Sequence, residues 1–383
     1  MNDYSARDYD SFAAMDVHAR SITIATLDTV TGESAIGRLG GCPGAAEVLG
    51  WASARTTGRT LFAYESGPTK FDLCRGLREL GQDCGVAAVT TLARSQKQRR
   101  QKNDAVDARA LLADICSPER EFSWCWVPSV EAEQARDLCR LWRRSVDELA
   151  SARQAVSSFL LGRGFVWSER TPDGNLRSTW TRAYGEWLDA AASAMHPADA
   201  AILAALRERV ESREDFAARL RARVAGLGRG ERWRPYVDSI SCLLGIGPET
   251  ALLAAAEFDD FGRFRSGRRV KNWIGLAPTE HSSGGRGAHG GITKGGPSCL
   301  RKCIIEGLSS MPLRKTPSKS LRKGQEPDPG ALRVARKGNR RLFERYNSLV
   351  GAGKEANKAK VATAAEEACW IWRVGLEVQA SLA

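Results

Sequence analysis

Four carboxylates and one serine in this chain have the types and spacing to do chemistry. Asp16 closes the apolar run Phe12-Ala13-Ala14-Met15, and Glu65 closes Leu61-Phe62-Ala63-Tyr64. Asp104 and Asp107 stand three apart in Lys-Asn-Asp-Ala-Val-Asp-Ala-Arg-Ala, which reads as the opening of a helix. Such a set, on strand ends and one helix face, has the ligand chemistry of a divalent-metal nuclease. Mg²⁺ takes oxygen ligands and tolerates few protein carboxylates beside phosphate and water. Two such ions clamp the attacking and leaving oxygens of a phosphodiester. Taken singly, Asp104 and Asp107 read as a helix cap and a dipole partner, and Asp16 as an acid at a strand end. Glu65 is harder to place, because a buried unpaired carboxylate is costly. The four together favour the metal reading, with Mg²⁺ as cofactor, and Arg94, Lys97, Arg99, Arg100 and Lys102 beside it as phosphate contacts.

Ser283 lies far downstream in the glycine-rich stretch Ser282-Ser283-Gly284-Gly285-Arg286-Gly287, which predicts a loop. No Ser-His-Asp context surrounds it, although His281 is close in sequence. Gly275-Leu276-Ala277-Pro278 precedes it, Gly291-Ile292-Thr293-Lys294-Gly295-Gly296 follows, and Leu300-Arg301-Lys302 opens a helix. Arg286, Lys294, Arg301 and Lys302 are candidates to hold a scissile phosphate and stabilise its developing charge. Cys299 and Cys303, one helical turn apart, have His281 and His289 upstream, but the spacing fits no common zinc pattern.

The elements that must position these groups follow from periodicity. With 383 residues the chain has ample material for two or three domains. Strands are expected at Phe12–Asp16, Ser21–Leu27, Ser34–Leu39, Thr60–Glu65 and Cys84–Thr90, with helices at Ala45–Ala54 and Lys70–Leu80 between them. A three-strand meander followed by β-α-β-α units is the order of the ribonuclease H-like fold. From Val130 to Ala225 the pattern is almost wholly helical, with Arg136, Arg140, Arg143 and Arg144 interleaved among Leu138, Leu141, Val146 and Leu149. Long antiparallel helices there would form a coiled-coil-like oligomerisation arm or a monomeric bundle. Ser239–Ala251 reads as helix, Gly245-Ile246-Gly247 turn, helix. In this helix-hairpin-helix pattern the glycines and the next helix N-terminus can approach a DNA phosphate. Lys354–Leu376 is an amphipathic helix.

The net charge is +12, and it is uneven. Between Pro312 and Lys360 there are fourteen Lys/Arg and four Asp/Glu, a local net of +10. That excess favours a polyanion, with Arg314, Lys315, Lys319, Arg322 and Lys323 as candidate contacts. No run approaches a membrane span, and the N-terminus lacks a signal peptide's regions. The ten scattered cysteines predict a cytoplasmic protein with reduced thiols.

On these motifs the chain resembles transposases of the insertion-sequence family numbered one-ten, the group of the pilin-gene invertases and the bridge-RNA-guided recombinases. Met15-Asp16-Val17-His18 with Ser21-Ile22, Tyr64-Glu65-Ser66-Gly67, and Lys102 to Arg109 are similar to its DEDD, RuvC-like domain. Leu243–Gly247, Gly275–Gly284 and Gly291–Lys302 are similar to its C-terminal transposase domain. Pro297 stands where family members usually carry Asn, Asp or His. Gly162–Asn175 and Pro312–Arg340 fit no family pattern. The resemblance implies an α/β plus all-α chain. It would have a RuvC-like catalytic domain over 1–128, a helical coiled-coil region over 129–232, and over 233–383 a transposase domain with serine loop and basic tail. It implies Mg²⁺ on Asp16, Glu65, Asp104 and Asp107, and Ser283 as a nucleophile forming a phosphoserine link, with Ser282 the alternative. The implied partners are an element-encoded bridge RNA, donor and target DNA, and three further copies in a tetramer whose active sites combine protomers.

Other classes stay open at this stage. A Holliday-junction-resolving nuclease would use the acids with water as nucleophile. A sugar-kinase-like phosphotransferase shares the strand order, but Val17-His18-Ala19-Arg20 offers no phosphate loop. A non-catalytic nucleic-acid-binding protein is the third.

Overall fold

The computed structural model describes residues 4–88, 104–119, 123–283, 286–309 and 319–383, without the side chains of 280–289. Arg94, Lys97, Arg99, Arg100, Lys102, Arg314 and Lys315 therefore lie outside the described residues. The chain divides into two compact units, 1–129 and 130–383.

The first unit is a five-stranded mixed sheet: β1 (Ser11–Val17), β2 (Ser21–Asp28), β3 (Ser34–Gly40), β4 (Thr60–Glu65) and β5 (Asp83–Ala87). The strand order is β3-β2-β1-β4-β5. β1 and β2, and β2 and β3, pair antiparallel, while β4 runs parallel to both β1 and β5. The central strands read as continuous apolar runs because both sheet faces are covered. Ala13 and Met15 pack with Phe62 and Tyr64 beneath α1 (Ala45–Ser53) and α2 (Asp72–Glu79). Phe12 and Ala14 pack with Leu61 and Ala63 against Leu111 and Ile115 of α3 (Asp104–Cys116) on the other face. Only β3, at the edge, alternates in burial. The expected helix Lys70–Leu80 begins later, at Asp72, because Lys70 has φ +55°, a left-handed conformation that a helix cannot contain.

In the second unit, α4 (Val130–Leu161) and α6 (Pro197–Gly228) lie against each other, with α5 (Arg182–Ala194) beside them. The ion pairs Arg163–Asp199, Arg153–Glu214 and Arg213–Glu148 fix their antiparallel sense. Gly162–Asn175 closes the far end of this arm. There Trp167 meets Tyr184 edge-on at 5.2 Å and donates to the Arg177 carbonyl at 2.9 Å. Around α8 (Pro248–Phe258), buried on all sides from Ala251 to Phe258, pack α4, α6, α7 (Arg234–Ile240) and α10 (Ser298–Gly307). A helix apolar all round belongs at a core centre. Its one carboxylate in that buried stretch, Glu257, 3% exposed, accepts from Arg140 at 2.7 Å and lies 3.6 Å from Arg136. Of the interleaved arginines of α4, Arg136 and Arg140 thus face the buried Glu257, and Arg143 faces Glu306. The helices α11 (Pro329–Gly351) and α12 (Ala356–Leu382) form an adjoining pair, and α9 (Gly267–Trp273) packs on α12. Among the described residues no helix is long and apolar enough to cross a membrane, and all ten cysteines are free.

One buried acid on α12 has a measurable consequence. Glu367 is fully buried, and neither of its oxygens has a hydrogen-bond partner among the described residues. Burial pushes its carboxyl well above the ordinary value, with the charge of Lys319 pulling the other way. A raised folded value means that the unfolded chain releases this proton first. The stabilisation is complete below the ordinary glutamate range and is lost as pH rises toward the folded value. Glu367→Gln keeps the neutral form at every pH. In urea unfolding it should be more stable than wild type by about 1–3 kcal/mol at pH 8, with a smaller gap at pH 5. Superimposable pH profiles would show that Glu367 is ionised and compensated.

Candidate functional site

The carboxyl ends of β1 and β4, with the N-terminal turn of α3, gather the acids. In the parallel β1–β4 pair Met15 lies opposite Tyr64, so Asp16 and Glu65 follow at adjoining strand ends. Side chains alternate along a strand. Asp16 therefore shares the face of Phe12 and Ala14, and Glu65 that of Leu61 and Ala63, which is the face α3 covers. The first turn of α3 carries Asp104 and Asp107 onto this face. Glu65 is half-buried at the strand end and not enclosed, which corrects the expectation of a buried carboxylate.

His18, to which the residue pattern alone gave no role, joins the cluster. Its Nε2 lies 3.2 Å from Asp16 Oδ2 and 3.5 Å from Asp104 Oδ1. One ligand atom from each of Asp16, His18 and Asp104 lies within 4.8 Å of the others. The two carboxylate oxygens suit a hard divalent cation, and the imidazole nitrogen lies within reach of Asp16 to orient it. The Asp-x-His spacing at a strand end was the available signal for His18. The Asp16 carboxyl is held above the usual range, chiefly by burial, with His18 opposing and Asp104 and Asp107 adding to the rise. A cation between these acids would cancel that repulsion.

The other candidate groups lie in the second unit. Ser283 is the last residue of strand β6 (Pro278–Ser283), which pairs antiparallel with β7 (Arg286–Ile292), Ser283 opposite Arg286. The expected loop is thus a hairpin, and its connector Gly284-Gly285 and the side chains of Ser282, Ser283 and Arg286 lie outside the described residues. The flanking glycines root this hairpin. Gly275 (φ +70°) and Gly296 (φ +65°) stand so close to Gly295 and to the Trp273 carbonyl that a Cβ on either would clash. Arg301 donates to the carbonyls of Ile274 at 2.8 Å, Gly295 at 2.5 Å and Lys294 at 3.1 Å. Those bonds give Arg301 a structural role at the hairpin's root. Lys302 lies 2.8 Å from both oxygens of Asp147, and Lys294 is exposed. Around Cys299 and Cys303 no metal-ligand cluster forms among the described residues, and the side chains of His281 and His289 lie outside them.

The Gly245–Gly247 turn joins α7 to α8 and is held from behind. Gly245 has φ +77°, and a Cβ there would stand 2.6 Å from the Gly307 carbonyl. Asn339 receives the Leu244 amide at 2.8 Å and donates to the Cys242 carbonyl at 2.9 Å. Lys319 donates to the carbonyls of Leu243 and Ile246 at 3.1 and 2.6 Å, and Arg322 to Ser241 Oγ at 2.9 Å. Lys319 and Arg322 thus secure the turn. Gly247 caps α8, whose first turn carries Glu249, paired with Arg221 at 2.6 Å.

Comparison with known proteins gives the class of this chain. Residues 238–322, spanning the turn and the hairpin, match the model of the Transposase IS116/IS110/IS902 family. A putative transposase, y4qE, of Sinorhizobium fredii is 30% identical over 323 residues, 83% of this chain and 76% of the relative. A probable family 20 transposase of Pseudomonas aeruginosa is 30% identical over 254 residues, 66% of this chain and 71% of its own. The transposase for insertion sequence element IS1533 of Leptospira borgpetersenii is 26% identical over 210 residues, covering 54% and 57%. The chain belongs to the IS116/IS110/IS902 transposase family.

Proposed function

We propose that this transposase is a Mg²⁺-dependent, bridge-RNA-guided DNA recombinase that moves its own insertion sequence through a covalent phosphoserine intermediate. The observation that carries the reading is the meeting of Asp16, His18 and Asp104 within 4.8 Å at the strand ends, in a chain whose homology spans both units. The strand order β3-β2-β1-β4-β5 supports a ribonuclease H-like first unit. The α7–turn–α8 segment supports a helix-hairpin-helix element in the second.

Asp16 and Asp104 would hold the ion, with Asp107 and Glu65 completing its oxygen ligands. Bound Mg²⁺ supplies charge stabilisation at the scissile phosphate. His18 acts differently. Its bond to Asp16 fixes the carboxylate's orientation, as partners behind a metal ligand do. Ser283 attacks phosphorus through Oγ. A phosphoserine bond forms and the bond to the departing deoxyribose oxygen breaks; the serine proton passes to solvent, and the departing oxygen takes one from solvent to become a hydroxyl. Base pairing to the guide RNA selects the sites, while the protein grips and cuts. Acids and serine of one site come from different protomers of a tetramer.

The test is incubation of the RNA-bound protein with element-end DNA and Mg²⁺, with light scattering on the same complex. A tetramer yielding a protease-sensitive protein–DNA adduct supports the reading. Hydrolysed ends with no adduct at any time would return the resolvase. A monomeric active complex would remove the shared-site arrangement.

A further inference from the structure

Among the described residues of the basic segment, one face of α11 carries a row of cations without ion pairs. Its buried face carries Ala331, Ala335, Asn339, Leu342 and Tyr346. On the opposite face Arg333, Arg336, Lys337 and Arg340 follow the i, i+3, i+4, i+7 spacing of a single stripe. All four are exposed, and none makes an ion pair among the described residues. Other arginines in this unit meet acids. On α4, Arg140 faces Glu257 and Arg143 faces Glu306, and on α11 itself Arg341 and Arg345 face Glu366. From Pro329 to Phe343 the sequence contains no acid. The stripe spans about 10.5 Å, two helical turns, and Asn339 ties its helix to the Cys242–Leu244 turn.

We infer that this face of α11 docks the sugar-phosphate backbone of duplex DNA without reading its sequence. Four like charges held in a row repel one another, and only a polyanion relieves all four together. The stripe includes no aromatic side chain. Single strands are gripped by stacking platforms, so a duplex is the better fit. The major groove of B-DNA admits an α-helix, whereas that of A-form RNA is too deep and narrow. With only Arg and Lys on the stripe, the contacts would position the duplex and leave sequence choice elsewhere. The inference rests on the recombinase reading for the presence of DNA, but on none of its chemistry.

The experiment measures duplex affinity against salt for full-length Asp16→Asn protein, which separates binding from cleavage. Adding Arg333→Gln, Arg336→Gln, Lys337→Gln and Arg340→Gln should flatten the slope of log K on log salt by about 0.9 per lost contact. Between 50 and 200 mM salt the parent's affinity should then fall on the order of 10²-fold more than the variant's. The effect should be equal on unrelated sequences. Arg341→Gln with Arg345→Gln, whose charges Glu366 already meets, should change the slope far less. If the fourfold variant does not fold, the four single variants carry the same test. An unchanged duplex slope overturns the inference, as does a change confined to single strands or structured RNA. Wild-type protein that binds duplex with the expected slope but forms no adduct overturns the recombinase chemistry alone.

Discussion

Alanine at Asp16, Glu65, Asp104 or Asp107 is expected to reduce strand joining by at least about 10³-fold, the several kcal/mol of transition-state charge stabilisation that a bound metal supplies. The protein should still fold. Burial chiefly raises the Asp16 carboxyl, His18 opposes, and Asp104 and Asp107 add to the rise. In the metal-free protein its ionisation is therefore disfavoured, and stability falls as pH rises through the raised value. Asp104→Ala removes one source of that rise, so the metal-free variant should melt at or above the wild-type temperature near pH 7. Mg²⁺ should reverse the order, because a ligand at a hundred times its Kd stabilises the folded state by about 2.7 kcal/mol. Wild type should gain that increment and Asp104→Ala should not. His18→Gln should retain the response at a higher Mg²⁺ concentration, since a positioning residue is removed and no oxygen ligand is lost. Two or more alanine variants that join strands normally, or a wild-type melting temperature indifferent to Mg²⁺, would show that the cluster is an acidic surface without an ion.

Ser283→Ala is expected to bind RNA and DNA as wild type does and to form no covalent adduct, while Ser282→Ala keeps substantial activity. A serine hydroxyl is a weak nucleophile at neutral pH and needs activation. Ser283 ends the paired part of β6 opposite Arg286, and Gly275, Gly296 and Arg301 clamp the hairpin's root. Arg301→Ala offers a second measurement. It should loosen the root and slow adduct formation while leaving DNA affinity near wild type; a phosphate-binding arginine would instead weaken affinity. Mass spectrometry of the peptide joined to nicked DNA decides the nucleophile. Attachment at Ser282, or nicked product without attachment, sinks the Ser283 assignment.

The sequence by itself determined the elements and the acids. Strand periods, apolar runs and the 32-residue helix Val130–Leu161 are local patterns, and a chain's local preferences are written in neighbouring residues. The placement of Asp16 and Glu65 at the ends of apolar runs needed nothing more. Tertiary structure alone decided which charges are available. Arg140, Lys302, Lys319, Arg322 and Arg301 count as positive in any composition, yet each is held by a partner more than five residues away in the chain. The stripe on α11 has no such partner among the described residues. His18 became a member of the acid cluster only when the first turn of α3 was carried over the end of β1. Glu367 became a buried acid only when α12 packed against its neighbours. In each case the deciding quantity is a desolvation or a Coulomb energy between groups distant in sequence, and it is defined only once the chain has brought them together.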